Sequence, residues 1–425
     1  MTTTETHTAT APLDSPDVGP IDSEYTELRE RFAPVLATIV QGAAERDRER
    51  RLPHAEVRAL AAAGFTAVTV PRAQGGAGAG TETLFRLLLD LGEADSNLPQ
   101  LLRAHFAFVQ DILIGAETRE AESWLSVIAD GAVVGNASHE RSTATVGDLR
   151  TTVTPDGEAY RLSGEKHYST GSIFADWINV SARTPDGRRA RVTVASDDPG
   201  VDLRDDWDGF GQTLTGSGST LFDRVAVPAS RVRVLEGRGD GAATTQTAFL
   251  QLVLLSSLVG AGRAALRDAI GFVRSRTRVY SQGSGASAAT DPLIQQVVGT
   301  LSADVASAQD SVLAAARALA AAQDAAGGAR AQELTDAAEL RTVQAQITTV
   351  RDILRVTTEL FDVGGASATS RGRGLDRHWR NVRTLASHNP VIYQQRAIGD
   401  RLVNGTDLLY FWSTGEKKPE TERDG

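Results

Sequence analysis

At 425 residues, 41% hydrophobic and 23% charged, the chain has room for two or three domains and the composition of a globular protein, neither disordered nor fibrous. A formal net charge of −10 and a pI near 5.3 give it no global field for nucleic acid or anionic lipid. With no cysteine it has no disulfide, thiolate metal site or cysteine nucleophile, and with no apolar run of about 18 residues in evidence the expectation is a cytoplasmic protein off the membrane.

Residues 1–21 lack both the basic start and the apolar core of a signal peptide and read as a disordered leader. From Ser23 to Glu49 the apolar positions Phe32, Val35, Leu36, Ile39 and Val40 recur at helical spacing. Pro53 opens a second helix that Gly64 ends. FTAVTVPRAQGGAGAG (65–80) reads as a short extended piece and a glycine loop; without a clean strand before the glycines or an acid some 20 residues on, it is a poor dinucleotide fingerprint. Helical spacing resumes at Thr81–Glu93 and Leu98–Ile114, so residues 22–130 form a helical domain.

Beyond Gly131 the period changes to short, β-branched, alternating segments separated by Pro-Asp-Gly and similar turns, and 131–237 is expected to be an antiparallel β domain. Helices then return at about Ala242–Tyr280, Pro292–Ala325 and Glu333–Phe361, alanine-rich and joined by short loops, so 238–413 reads as a four-helix bundle ahead of a charged tail, 414–425. The fold class is α+β, mostly α. Near the end, Phe361–Pro390 gathers a glycine turn, the cations Arg371, Arg373, Arg377, Arg380 and Arg383, and His388 beside Asn389-Pro390, the densest run of groups able to touch an anionic cofactor and move a proton.

The order helix, sheet, helix, with YRLSGEKHYSTG (160–171) in the sheet and FDVGGASAT (361–369) before a cationic helix, resembles the acyl-CoA dehydrogenase fold. The strings AERDRERRLP (44–53), GNASHER (135–141), FADWINV (174–180), DDWDGFGQ (205–212) and LDRHWRNVRT (375–384) are similar to those of its flavin-dependent monooxygenase branch, the sulfur-acquisition oxidoreductases and dibenzothiophene monooxygenases. Dehydrogenation of an acyl thioester needs a carboxylate base. The positions where the resemblance places that base hold His388, Asn389 and Pro390, and 241–267 contains no acid.

The resemblance therefore implies a two-component enzyme. A separate NAD(P)H:flavin reductase would supply reduced FMN, with FAD as the alternative, and a flavin C4a-(hydro)peroxide would pass oxygen from O2 to an organosulfur substrate. It also implies a homotetramer. An FAD-dependent acyl-CoA dehydrogenase, an N-oxygenase of an amine and a non-catalytic scaffold stay open.

The resemblance assigns His388 to proton handling, places His105 facing the substrate cavity and adds Thr170 as a catalytic candidate. His105, amid apolar residues, reads equally as a satisfied core histidine. Asn136, Ser138, Tyr168, Ser169, Thr170 and Trp207 correspond to flavin-contacting positions, although serine and threonine are ordinary strand residues. Arg276 with Gly365, Ala366 and Ser367 corresponds to the phosphate side, reaching the flavin of a neighbouring subunit. His378 and Trp379 read as a solvated or interface face, and His139 has no assigned role.

Overall fold

The computed structural model describes residues 23–115, 119–141, 149–235 and 244–408; the expected leader and charged tail lie outside the described residues. Five helices come first: α1 (Ser23–Glu49), α2 (His54–Ala62), α3 (Thr81–Ala94), α4 (Asn97–Ile114) and α5 (Arg119–Ala129). The apolar spacing of α1 places Leu28, Phe32, Leu36 and Ile39 inside, as a 3.6-residue period requires. Residues 65–80 are turns rather than an extended piece. Val68 N donates to Phe65 O, Ala77 N to Ala67 O and Gly78 N to Val70 O, and a Cβ on Gly76 would meet Val70 O at 2.0 Å. The glycines there let the loop close on itself.

Eight strands follow among the described residues: β1 (Val134–Ala137), β2 (Thr152–Asp156), β3 (Ala159–Lys166), β4 (Trp177–Arg183), β5 (Arg189–Ala195), β6 (Val201–Leu203), β7 (Thr220–Pro228) and β8 (Val232–Val234). They form one sheet in the order β6-β7-β3-β2-β4-β5-β8, with β1 on β4. The expected antiparallel domain is thus a mixed sheet, because β1 runs parallel to β4 in the register Val134 to Trp177 through Ala137 to Val180. Alternation puts Ala137, Val153, Leu162, Ile178, Val180 and Val192 into a separate sheet core and leaves Asn136 and Ser138 on the other side of β1.

The C-terminal region contains α6 (Gln246–Ser275), α7 (Pro292–Asp324), α8 (Ala331–Glu359), α9 (Asp376–His388) and α10 (Val391–Asn404). Helix α6 ends at Ser275, short of the expected Tyr280. Its best 18-residue window has a mean hydropathy of 1.6, enough by length and composition to cross a membrane and so an exception to the expectation above; 89% of that window is buried inside the protein, as in a central core helix. The core runs without interruption from α1, α3 and α4 into α6, α7 and α8. Phe85 meets Phe249 edge to face at 5.4 Å, and a Cβ on Gly260 would lie 2.3 Å from the backbone of Gly92, so α3 and α6 touch backbone to backbone.

Candidate functional site

Two buried acceptors mark the sheet edge. Asn136 Oδ1 on β1 and Ser169 Oγ, in the turn after β3, have no protein partner. Buried polar atoms are nearly always bonded, so these two fit a ligand that brings its own donors and acceptors. The turn is held by Ser169 N donating to Gly218 O and Gly171 N to Thr215 O, while Thr170 Oγ1 lies 2.7 Å from Ser217 Oγ. Gly171 is obligatory: its φ is +83° and a Cβ would stand 2.0 Å from Leu101 O of α4. Tyr168 has a positive φ of 57°, unusual for a bulky residue, and the backbone so turned leaves its ring 46% exposed, 6.1 Å from and nearly perpendicular to the ring of Trp207. Ser138, unlike Asn136 and Ser169, has protein partners, its hydroxyl accepting from Ser181 Oγ (3.1 Å) and Arg191 Nη1 (3.4 Å).

At the C-terminal end of α9, Arg103 Nη1 of α4 donates to His388 Nε2 at 3.2 Å. The proton of the neutral ring is therefore on Nδ1, which points at Asn389 Oδ1 at 3.3 Å. Asn389 Nδ2 donates to Gln251 Oε1 of α6, and Gln346 Nε2 of α8 donates to Asn389 O, so four helices fix one imidazole. Burial is the chief cause lowering the pKa of His388 to about 3 and of Arg103 to about 10; it also lowers that of His139, and the charge of Arg103 depresses both histidines further. By surface area, however, His388 and His139 are exposed and Arg103 is half-buried. Both observations hold where water reaches the residue from one side while protein fills most of the surrounding space. His388 is then neutral near pH 7, so any proton it handles is one it takes up or passes on rather than a standing charge. Its Nε2 is an acceptor, and the donor aimed at it is Arg103, which was not singled out in the sequence.

His105 does not join the Arg103–His388 group. It is completely buried, its Nε2–H donates to Thr66 O at 2.8 Å, and its Nδ1 accepts from Val134 N at 3.2 Å. Both nitrogens are satisfied by backbone, so it joins α4 to β1 and is corrected from catalytic to structural. Burial pushes its pKa down to about 4. In the unfolded chain this imidazole takes up a proton as pH falls below about 6.5, whereas the folded one does so only near 4, so acidification over that window removes stability, about 3 kcal/mol from this residue by pH 4. Urea titrations of wild type and His105→Gln at pH 7 and pH 4.5 check this: the wild type is expected to lose more stability between the two pH values than the variant.

Two of the five arginines after the glycine turn, Arg377 and Arg380, are paired with acids of other helices, while Arg371 and Arg373 are exposed. Arg380 bridges Asp47 of α1 at 2.6 Å and Asp376 at 2.9 Å, and Arg377 pairs with Asp268 of α6 at 2.5 Å. His378, expected on a solvated face, is buried and lies 2.9 Å from Asp268. Burial would raise the Asp268 pKa, but His378, Arg377 and Arg267 together hold it well below the usual range. Asp268 is the ionised member of this group and His378, whose own pKa burial lowers to about 4, the neutral one. Arg373 lies over the Phe272 ring at 4.4 Å.

The loop 205–217 that carries Trp207 is clamped from three sides. Arg50 at the end of α1 grips Asp205 with two bonds of 2.8 and 2.6 Å. Ser96 and Asn97, at the α3–α4 turn, accept from Gln212 Nε2 and Leu214 N, and Asn381 of α9 accepts from Gln212 N at 2.6 Å. Trp207 Nε1 closes the loop on Gln212 O at 3.0 Å. A Cβ on Gly211 would stand 2.0 Å from Arg380 O, so only glycine allows this approach. Beyond the loop, a fully buried Lys166–Glu140 pair at 2.6 Å ties the end of β3 to the segment after β1.

Arg276, Gly365, Ala366 and Ser367 line one groove of about 490 Å³, with Arg278 and Arg373 among its other walls. One Arg276 nitrogen is held by Val363 O at 3.0 Å. The groove shares no residue with the sheet-edge turn, so sequence positions expected around one cofactor fall on two surfaces of this chain. The cations and glycine backbone of the groove fit an anionic phosphate, and the orphaned acceptors of the sheet edge fit a flavin ring.

Three family models match consecutive parts of the chain: the acyl-CoA dehydrogenase N-terminal domain over residues 22–132, the middle domain over 137–225 and the C-terminal domain over 252–392. Dibenzothiophene monooxygenase of Mycolicibacterium goodii is 31% identical over 378 residues, covering 85% of this chain and 89% of that one. A probable FMNH2-dependent monooxygenase, SfnC, of Pseudomonas putida is 28% identical over 413 residues, covering 96% and 98%. Among solved structures, TdsC of Paenibacillus sp. A11-2 with FMN and indole superposes with a TM-score of 0.82 at 25% identity, covering 91% and 99%. Methanesulfinate monooxygenase MsuC of Pseudomonas fluorescens does so at 0.81 and 26%, covering 90% and 98%. With its three domains in that order, a neutral His388-Asn389 where a dehydrogenase requires a carboxylate, and relatives matched over nearly their whole length, this chain belongs to the acyl-CoA dehydrogenase family, in its branch of flavin-dependent monooxygenases.

Proposed function

We infer that this protein is a reduced-FMN-dependent monooxygenase that places one oxygen atom of O2 on an organosulfur substrate. One observation carries the reading beyond the fold: the polar side chains bonded together at the end of α9 are His388, Asn389, Gln251, Gln346 and Arg103, with no carboxylate among them to serve as the base that acyl thioester dehydrogenation needs. The first acid on α6, Asp268, is held by Arg377 and His378. The relatives named for FMNH2, dibenzothiophene and methanesulfinate support FMN as the flavin and sulfur as the oxygenated atom.

Bound FMN supplies the electrons and activates O2. The chain binds, orients and dries the site. Asn136 and Ser169 offer ring contacts, Tyr168 and Trp207 an aromatic wall, and Thr170 with Ser217 a hydroxyl pair that can pass a hydrogen bond inward. His388 keeps the Arg103 guanidinium in place and presents a lone pair at Nε2 that can hold a proton when Arg103 turns toward a ligand. A separate flavin reductase provides the reduced cofactor.

The protein acts as a homotetramer, in which the groove of Arg276 and Gly365–Ser367 reaches the flavin of a neighbouring subunit. Ile392, Tyr393, Leu402 and Val403 of α10 support assembly, being 63–81% exposed in the single chain.

The test is anaerobically reduced FMN mixed with the protein, then ¹⁸O2 and a panel of sulfides, thiophenes and sulfinates. One labelled oxygen is expected in a sulfur product that forms only with the protein. Equal product without protein, or no label in it, overturns the reading.

A further inference from the structure

Three hydroxyls stand in a row behind the sheet-edge turn. Thr170 Oγ1 lies 2.7 Å from Ser217 Oγ, which lies 2.7 Å from Thr215 Oγ1, and the Thr215 hydroxyl donates to Gln212 O at 2.8 Å. A carbonyl only accepts, so it sets the direction of the whole row. Thr215 spends its proton on Gln212 O, Ser217 then donates to Thr215, and Thr170 donates to Ser217; any other order sets two lone pairs against each other at bonding distance. The longer bond open to Thr170, to Tyr168 O at 3.5 Å, would also keep its proton inside the protein. Half-buried at the turn, Thr170 thus offers a lone pair outward and no proton. The row is held in place, since Thr215 and Ser217 are buried and the bonds Gly171 N to Thr215 O and Ser169 N to Gly218 O, each 3.0 Å, join the two segments. It begins at a strained residue: Gln212 is buried with a φ of +51°, and its carbonyl accepts from both Thr215 Oγ1 and Trp207 Nε1.

We propose that Gln212, Thr215 and Ser217 are positioning residues that fix Thr170 as a hydrogen-bond acceptor toward the flavin, and so give the site a preference for reduced over oxidised FMN. This rests on the reading above of the chain as an FMN enzyme with its flavin ring at the sheet edge. Reduced flavin carries a ring N–H at N5, whereas in the oxidised ring the same nitrogen is an acceptor. An edge that only accepts therefore pairs with one redox state and opposes lone pair to lone pair with the other. A polar group left unpaired away from water costs more than a made bond returns, so the mismatch weakens the oxidised complex more than the match strengthens the reduced one. Asn136 Oδ1, buried without a protein partner, adds a second acceptor on this edge. Such a preference suits an enzyme whose cofactor arrives reduced and departs oxidised.

Calorimetric titrations of the full-length protein with oxidised FMN and, anaerobically, with reduced FMN give two dissociation constants whose ratio tests the row without turnover. The wild type is expected to bind the reduced form about tenfold tighter or more, which raises the midpoint potential of bound FMN by about 30 mV or more over that of free FMN. In Ser217→Ala, and likewise in Thr215→Val, the Thr170 hydroxyl is released to donate outward. Oxidised FMN should then bind several-fold tighter and reduced FMN about as before, so that the ratio falls toward one, whereas Ser217→Thr should keep the wild-type ratio. A merely structural role for these hydroxyls would weaken both forms together and leave the ratio where it was. Equal affinity for the two forms in the wild type, which needs no variant to fold, overturns the proposal while the FMN reading stands. So does an unchanged ratio in a folded Ser217→Ala. If neither form of FMN binds, the FMN reading itself fails and takes this proposal with it.

Discussion

Replacing Arg46 by leucine is expected to lower the unfolding free energy by about 3–5 kcal/mol, the range for leaving a buried charge without its partner. The Arg46 side chain is 1% exposed and ends among Asp95 Oδ2 at 3.0 Å, Glu56 Oε1 at 3.1 Å and the Ile39 carbonyl at 2.7 Å. Removing the guanidinium leaves two carboxylates in a space that water barely enters. Asp95 also accepts from Asn97 N and Nδ2, and Asn97 in turn accepts from Leu214 N, so the damage travels to the loop that holds Trp207. Denaturant unfolding of Arg46→Leu beside Arg48→Leu, a more than half-exposed neighbour on the same helix, checks the size of the effect. The triple variant Arg46→Leu, Glu56→Gln, Asp95→Asn should recover much of the loss, since it removes the stranded charges. If Arg46→Leu and Arg48→Leu unfold alike, the buried arginine does not organise this end of α1.

His388→Ala is expected to reduce kcat for sulfur oxygenation by about 10²-fold or more, within the range that a proton-handling side chain contributes. FMN affinity and thermal stability should change little, because His388 is exposed and the residues proposed to contact FMN lie on the sheet edge. His388→Gln should retain part of the activity, since an amide oxygen can accept from Arg103 as Nε2 does. The pH profile tells the neutral ring from a charged one. With its pKa pushed down to about 3, His388 loses its proton as pH rises through that value and stays neutral above it. The profile of kcat/KM, which reports groups in the free enzyme, should therefore show no break near 6.5 that belongs to this residue. A break between pH 6 and 7 that disappears in His388→Ala would overturn the neutral assignment.

Neither result could have been framed from periodicity alone. The helical spacing of α1, α3, α4, α7 and α8 and the alternation of the longer strands lay open in the sequence, because a 3.6-residue or two-residue period is a local property. Strands β6 and β8 escaped it at three residues each, too short for alternation to register. The parallel pairing of β1 with β4 escaped as well, since residues 134 and 177 meet only through the sheet.

The strings that carry the family resemblance, 44–53, 205–212 and 375–384, were legible as signatures but not as a structure. In the fold they meet, Arg50 on Asp205, Asp47 on Arg380 and Asn381 on Gln212 N, around the loop of Trp207. Read locally, the arginines at 371–383 were a cationic patch for an anion. In three dimensions Arg377 and Arg380 are neutralised by Asp268 and Asp47, acids far away in the chain.

What the sequence determined by itself was the order of helical and sheet regions and the absence of a carboxylate at 388–390, because residue identity alone excludes a carboxylate base there. Which histidine is a backbone staple and which stays exposed beside Arg103 was decided by tertiary structure. Arg103 and His105 lie two residues apart on one helix, and their roles diverge because a turn of about 200° separates them, sending one toward His388 and burying the other against β1.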